Sequence, residues 1–292
     1  MKKLTDQILK DVITPRPENS FKGTFGKVTL IGGNRNFGGA IIMASTAAVC
    51  AGAGLVTTAT DEINASALHA QLPEAMFADF TDDALVADLT QAATSVVVGP
   101  GLGNDETSLR ILKNVFAHTT EKQNVIIDGS AITLMAMKKL EQPQGNIIYT
   151  PHEMEWQRLS GIKIGDQTED KNKAVQEKLG ATVILKKHHT EIYTSDQVYQ
   201  LPIGTPAQAV GGMGDTLAGM VGGFTAEFNG KADKAVLAAV YAHSAIAEKI
   251  AESQYIVLPH QISRALPTFM KKMEGMNEDH HIGFLNQEIL GY

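Results

Sequence analysis

The chain has one cysteine, Cys50, and one tryptophan among its 292 residues. A lone cysteine excludes a disulfide within the chain and suits a reducing compartment. Its neighbours in TAAVCAGAG mark it as a small packed hydrophobe rather than a nucleophile. Clustered positive charge is also missing. Lys and Arg number 25 against 32 Asp and Glu, a net charge of -7, and no basic pair extends into a patch. That excludes a nucleic-acid surface, although backbone amides can still hold a small anion without net positive charge. No run approaches the roughly 20 apolar residues of a membrane span. The opening MKKLTDQILK lacks the apolar core of a secretory signal, so no membrane partner and a cytoplasmic location are expected. Proline- or serine-rich linkers, internal repeats and low-complexity tracts are absent, and 43% of the residues are apolar. One domain over residues 1–292 with a large core is therefore expected, ending from about 275 in a loosely attached tail or partner-binding extension.

What is present is a set of short β-branched runs alternating with helical patterns. KVTLIGG (27–33), GLVTTAT (54–60), SVVVGPG (95–101), NVIIDGS (124–130), NIIYTPH (146–152) and TVILKK (182–187) read as strands. Most are continuously apolar, as strands covered on both faces by helices must be. Helices are expected over 38–51, 105–117, 131–140, 153–160 and 171–179, and then over 215–228, 231–252 and 259–272. The βαβα order predicts a three-layer α/β/α fold with a central, mostly parallel sheet and ligand groups at the carboxyl ends of its strands. TEIYTSDQVYQLP (190–202) departs from that order and reads as a hairpin at the sheet edge.

AVGGMGDTLAG (209–219) follows the hairpin and opens a long helix. Gly211, Gly212 and Gly214 let backbone approach a ligand, and unpaired first-turn amides with the helix dipole favour a phosphate there. Asp215 has two readings. It is a helix cap, or it is a general base acting on a hydroxyl beside the bound phosphate. GPGLGND (99–105) is a second glycine turn leaving a strand, and TPHEMEW (150–156) puts His152 at the sheet's carboxyl edge and Glu155 in a first helical turn. Lys186, Lys187, His188 and His189 follow another strand end. The two histidines read as a solvated loop, because no carboxylate or cysteine lies at metal-ligand spacing, and no protein-held metal is expected. His280 and His281 read as surface residues, and Lys22 in FKGTFG is a surface lysine that could reach a phosphate.

In combination and order, KGTFG, GGNRNFGGA, QLPEAM, GPGLG, a strand ending in Asp128, TPHxxE, VILK and GGMGDTLAG resemble the ADP- or ATP-dependent NAD(P)H-hydrate dehydratases, a branch of the ribokinase-like fold. The resemblance runs from about Lys22 to about Met270. It implies repair of NADH and NADPH hydrated at ring carbon 6, through phosphorylation of the C6 hydroxyl by ADP or ATP and elimination of phosphate. It further implies that Asp215 contacts the hydrated nicotinamide as the base and that Gly214 lies at the nucleotide phosphates. Ala40, Gly103 and His152 fall at contacts to the hydrated cofactor, and Lys186 to Thr190 at the nucleotide loop. Mg²⁺ held mainly by phosphates and water, and a homotetramer, are implied as well.

Three positions depart from the family pattern. Glu153-Met154 replace a usual Pro-Gly and bear on the helix start. Lys187 replaces a usual Gly and bears on the nucleotide contact, and PIGTPAQAVGG lacks the Asn that commonly precedes the loop. Two other functions share part of this pattern: a vitamin or sugar kinase of the same fold, and a nucleotide-binding protein without turnover.

Overall fold

The apolar runs form strands because each has two faces to bury. In the computed structural model, which describes residues 1–274, the strands are β1 (Lys2–Lys3), β2 (Lys27–Ile31), β3 (Leu55–Thr60), β4 (Met76–Asp79), β5 (Ser95–Val98), β6 (Asn124–Ile127), β7 (Asn146–Tyr149), β8 (Thr182–Leu185), β9 (Glu191–Tyr193) and β10 (Val198–Gln200). Helices α1 (Gln7–Val12), α2 (Gly38–Cys50), α3 (Ala65–Gln71), α4 (Asp83–Ala92), α5 (Glu106–His118), α6 (Gly129–Lys138), α7 (Glu153–Ser160), α8 (Glu169–Leu179), α9 (Met213–Glu227), α10 (Ala232–Ala251) and α11 (Pro259–Glu274) connect or cover them. Val97, Ile126, Ile148 and Ile184 enter one hydrophobic core with α1, α2, α9, α10 and α11. Their neighbours Val96, Val98, Val125, Ile127, Tyr149 and Val183 enter the other, with α4 to α6. Period-two alternation between two apolar layers explains the unbroken hydrophobic strands.

The sheet order is β1-β10-β9-β8-β7-β6-β5-β2-β3-β4. Only β9 pairs antiparallel, with β8 and β10. The predicted hairpin is thus β9-β10, but it lies one strand in from the edge, because Lys2 and Lys3 add β1 beside β10. β1, β4 and helices α1, α3 and α4 went unassigned in the sequence, being too short or too polar to carry a clear period. β2, β3 and β4 extend the sheet one way and β5 to β8 the other, so the chain reverses between β2 and β5. That topological switch point opens a crevice beyond the strands' carboxyl ends.

Helix α9 crosses this sheet against the strand direction. Its far end meets the starts of β5 and β6, where Thr225 Oγ1 lies 2.9 Å from Ser95 Oγ and Asn124 Nδ2 donates to the Thr225 carbonyl at 3.4 Å. Its first turn, with the positive end of the helix dipole, therefore lies at the carboxyl edge. Lys22, in the turn before β2, lies at the opposite edge, which removes it as a phosphate ligand. Cys50 ends α2 half-buried, and burial raises its thiol's pKa, as befits a packing residue. The tail beginning near residue 275, with His280 and His281, lies outside the described residues.

Candidate active site

Five adjacent strands, β2, β5, β6, β7 and β8, deliver the sequence motifs side by side. The two glycine turns at the switch point are joined by backbone: Gly33 N–H donates to the Pro100 carbonyl at 2.8 Å and Asn34 N–H to Gly101 at 2.7 Å. Ala40 lies in the first turn of α2 and Gly103 in the turn after β5, beside this junction. The Gly103 amide donates to Ser130 Oγ at 3.1 Å, tying this turn to α6. A parallel bridge joins His152 to Lys186, and Lys186 N–H donates to the Pro151 carbonyl at 2.8 Å.

His152 is the N-cap of α7. Its Nδ1 accepts from the amides of Met154 and Glu155, both at 3.2 Å, and Glu155 Oε2 accepts the His152 amide at 2.8 Å. Glu153 and Met154 thus start the helix without a Pro-Gly pair. With Nδ1 accepting, the neutral ring carries its proton on Nε2, which lies 3.4 Å from Glu155 Oε1.

Behind this cap stands a compact charge cluster. The buried Asp128 follows β6 as the N-cap of α6 and accepts from Thr150 Oγ1 at 2.6 Å and from Lys186 Nζ at 3.0 Å. A Cβ on Gly214 would lie 2.9 Å from the same Nζ, so the ammonium stands directly over the first turn of α9. Burial opposes the Lys186 charge, but Asp128, Glu155 and Asp215 outweigh it and raise the pKa. Glu155 is raised by burial and by Asp128, against the pull of Lys186. Asp215 is pushed up to about 6, chiefly by burial, with repulsion from Asp128 and Glu155 exceeding the attraction of Lys186. A carboxylate of that strength is suited to taking a proton near neutral pH.

The glycine turn differs from the sequence expectation in one respect. α9 begins at Met213, two residues before the expected Asp215, because Gly212 (φ 93°) is the left-handed N-cap residue. Asp215 is therefore the third helical residue and Gly212 supplies no side-chain cap. The cap reading of Asp215 is corrected: its carboxylate belongs to the charge cluster.

Beside the cluster lies a cavity of about 490 Å³, lined by Lys186 to Thr190 of the β8–β9 connection, the segment from Ile203 to Ala209, the start of α9 including Gly214, and α10. Gly211 and Gly212 shape the turn but stand outside this lining. Lys187 bonds Glu191 Oε1 at 3.1 Å, while His188 and His189 are exposed, their ring centroids 4.1 Å apart. Among the described residues no group of three or more His, Cys, Asp or Glu side chains forms a metal cluster. Two features of this region carried no signal of their own in the sequence. His243 of α10, held neutral by burial with its pKa pushed down to about 4, reaches the cavity with Nε2 buried and without a hydrogen-bond partner. Gln208 approaches its Nδ1 at 3.4 Å, a polar side chain in the segment that lacks the family Asn. Asp128 was visible only as the last residue of a strand.

A mostly parallel sheet with helices on both sides, joined glycine turns at its switch point and a glycine-rich helix start beneath the Lys186 ammonium are the features of a ribokinase-like α/β protein. The fold superimposes on a ribokinase-like superfamily protein from Enterococcus faecalis V583 with a TM-score of 0.91, at 46% identity over 94% of this chain and 96% of that one. A family model described as NAD(P)H-hydrate dehydratase matches residues 28–268, and the chain belongs to that family. It is 51% identical, over 93% of its length and 98% of the relative's, to the ADP-dependent (S)-NAD(P)H-hydrate dehydratase of Lactiplantibacillus plantarum. It also resembles the ADP/ATP-dependent NAD(P)H-hydrate dehydratase of Bacillus subtilis co-crystallised with ATP and Mg²⁺, with a TM-score of 0.84 and 28% identity over 94% of this chain and 99% of that one.

Proposed function

We propose that this protein is an ADP-dependent (S)-NAD(P)H-hydrate dehydratase, a hydro-lyase that restores NADH and NADPH from their hydrates. The observation that carries the reading is the placement of Asp215, a half-buried carboxylate with its pKa pushed up to about 6, in the helix turn whose Gly214 underlies the Lys186 ammonium. In the first step Asp215 takes the proton of the C6 hydroxyl while that oxygen attacks the terminal phosphorus of the nucleotide. A P–O bond forms, the P–O bond to the leaving nucleotide breaks, and ADP becomes AMP. In the second step the ring nitrogen's lone pair expels orthophosphate by breaking the C6–O bond. Loss of a proton from the neighbouring ring carbon C5 then restores the double bond.

Ala40, Gly103, His152 and Glu155 are assigned to the hydrated nicotinamide cofactor, and Lys186, Lys187, His188, His189, Thr190 and the turn of Gly211, Gly212 and Gly214 to the adenine nucleotide. The amides of the α9 first turn and Lys186 hold the phosphates. Asp128, Glu155 and Asp215 surround a lysine rather than an open centre, so the donor set fits a Mg²⁺ ion that arrives on the nucleotide with its phosphate oxygens and waters. When bound, the ion neutralises charge on the transferring phosphoryl group. ADP is preferred over ATP because the relative sharing 51% identity carries that specificity in its name. A cytoplasmic location is proposed, supported by the lone Cys50, and a homotetramer is proposed on the family resemblance alone.

The test is recovery of NADH absorbance from hydrated NADH with Mg²⁺ and either ADP or ATP. Nucleotide dependence and one orthophosphate per NADH are expected. Phosphorylation of hydroxymethylpyrimidine, hydroxyethylthiazole or pyridoxal without recovery of NADH would overturn the reading in favour of a vitamin kinase.

A further inference from the structure

Three carboxylates compete for the single ammonium of Lys186. Asp128 bonds it at 3.0 Å, and Glu155 and Asp215 also attract it. Asp128 is in turn fixed by Thr150 Oγ1 at 2.6 Å and is 2% exposed, so its position does not adapt to the lysine. An ammonium has three donors, and Asp128 engages one of them while the group stands over Gly214. We propose that Asp128 is a positioning residue for the reaction: it fixes Lys186 over the phosphate turn and keeps the ammonium off Asp215, leaving that carboxylate free to accept the substrate proton. The proposal rests on the dehydratase reading with Asp215 as base.

Asp215 is faced by Asp128 from the end of β6, Lys186 from the end of β8 and Glu155 from α7, while the neutral His243 of α10 flanks the lysine. Removing the Asp128 charge acts on Asp215 in two ways. Repulsion between the carboxylates falls, and the released ammonium turns to Asp215 and Glu155. Both favour the ionised form of Asp215 and weaken it as a base.

The test uses the full chain and the variant Asp128→Asn, which keeps the size of the side chain and an oxygen to accept from Thr150. In ligand-free protein labelled with ¹³C-carboxyl aspartate, the Asp215 signal is identified by its loss in Asp215→Asn. Its midpoint is expected to move down by about one pH unit in Asp128→Asn. The acid limb of kcat/KM should move the same way, with kcat reduced by up to about 10-fold, the rate equivalent of one unit of base strength. Asp128→Glu, which restores the charge, should return the midpoint towards that of the parent. Should Asp128→Asn fail to fold, Asp128→Ser keeps a hydroxyl partner for Thr150 and carries the same expectation. An unchanged Asp215 midpoint in a folded variant overturns the proposal even if turnover falls. A midpoint that moves in a protein unable to restore NADH supports the pairing and overturns the dehydratase reading, so the two fail separately.

Discussion

At the scale of the residue, Asp215 carries two opposite demands. Its ordinary pKa of 3.8 is raised to about 6 by burial and by its carboxylate neighbours. Between those values the folded protein holds a proton that the unfolded chain has released, so stability falls as pH rises through this window. Above it the ionised carboxylate lowers stability by an amount on the order of 2 kcal/mol, after discounting for partial exposure. Asp215→Asn is thus expected to melt higher than the parent at pH 8, while turnover falls by about 10²-fold or more for want of a base. Parental turnover would remove Asp215 from the chemistry, and a lower melting temperature would contradict the electrostatic account. In the parent, kcat/KM should rise with pH through about 6 as the carboxylate ionises; a pH profile flat from 5 to 8 would contradict this assignment. Asp215, His152 and Lys186 were legible in the sequence because each stands in a motif at a strand or helix end. Asp128 was less so, since a single Asp closing a strand reads as well as a helix cap, and its lysine partner stands far along the chain. His243 was silent: one histidine in HSAIAEK has nothing beside it to mark the cavity that it meets.

At the scale of the element, the site depends on where α9 begins. Sequence patterning placed its start at Asp215, since an acidic residue before an apolar run is the usual signal, but glycine at a left-handed N-cap carries no side-chain signature and moved the start to Met213. Two other helices also start early, although their N-cap residues are of the usual kind. Asp128 and Thr168 serve as N-caps for α6 and α8, which begin two residues earlier than the apolar periodicity indicates. α7, whose His152 and Glu155 cap each other, falls where it was expected. The α9 start yields a direct test. A side chain at Gly214 meets only the flexible end of Lys186, with no other residue's backbone in the way, so Gly214→Val should fold. Its branched side chain would nonetheless displace the ammonium and cover the first-turn amides. ADP affinity by calorimetry is expected to fall at least about 10-fold, the scale of a lost charged contact. Parental affinity with an unchanged circular dichroism spectrum would take this turn out of the nucleotide site.

At the scale of the whole molecule, the α/β class was legible because strands buried on both faces can hardly be anything else. The shape of the nucleotide cavity was not. It is assembled from the β8–β9 connection, the Ile203–Ala209 segment, α9 and α10, pieces distant in sequence that the packing of α9 and α10 within one core helps to bring together. A ligand bound there holds together parts of the chain that separate on unfolding, and the unfolded chain offers it no site. Mass action then fixes the size of the effect: at a free concentration 100 times the Kd, binding adds about 2.7 kcal/mol to stability. For a chain of 292 residues that corresponds to a rise in melting temperature of about 5 °C. Mg²⁺ with ADP should produce this shift in the parent and in Asp215→Asn, whose binding surface is intact. Gly214→Val should show about half of it or less at the same nucleotide concentration. Thermal scans of the three proteins therefore separate binding from chemistry without any turnover. A full shift in Gly214→Val would place the nucleotide elsewhere, and no shift in Asp215→Asn would make that carboxylate part of the binding site rather than the base.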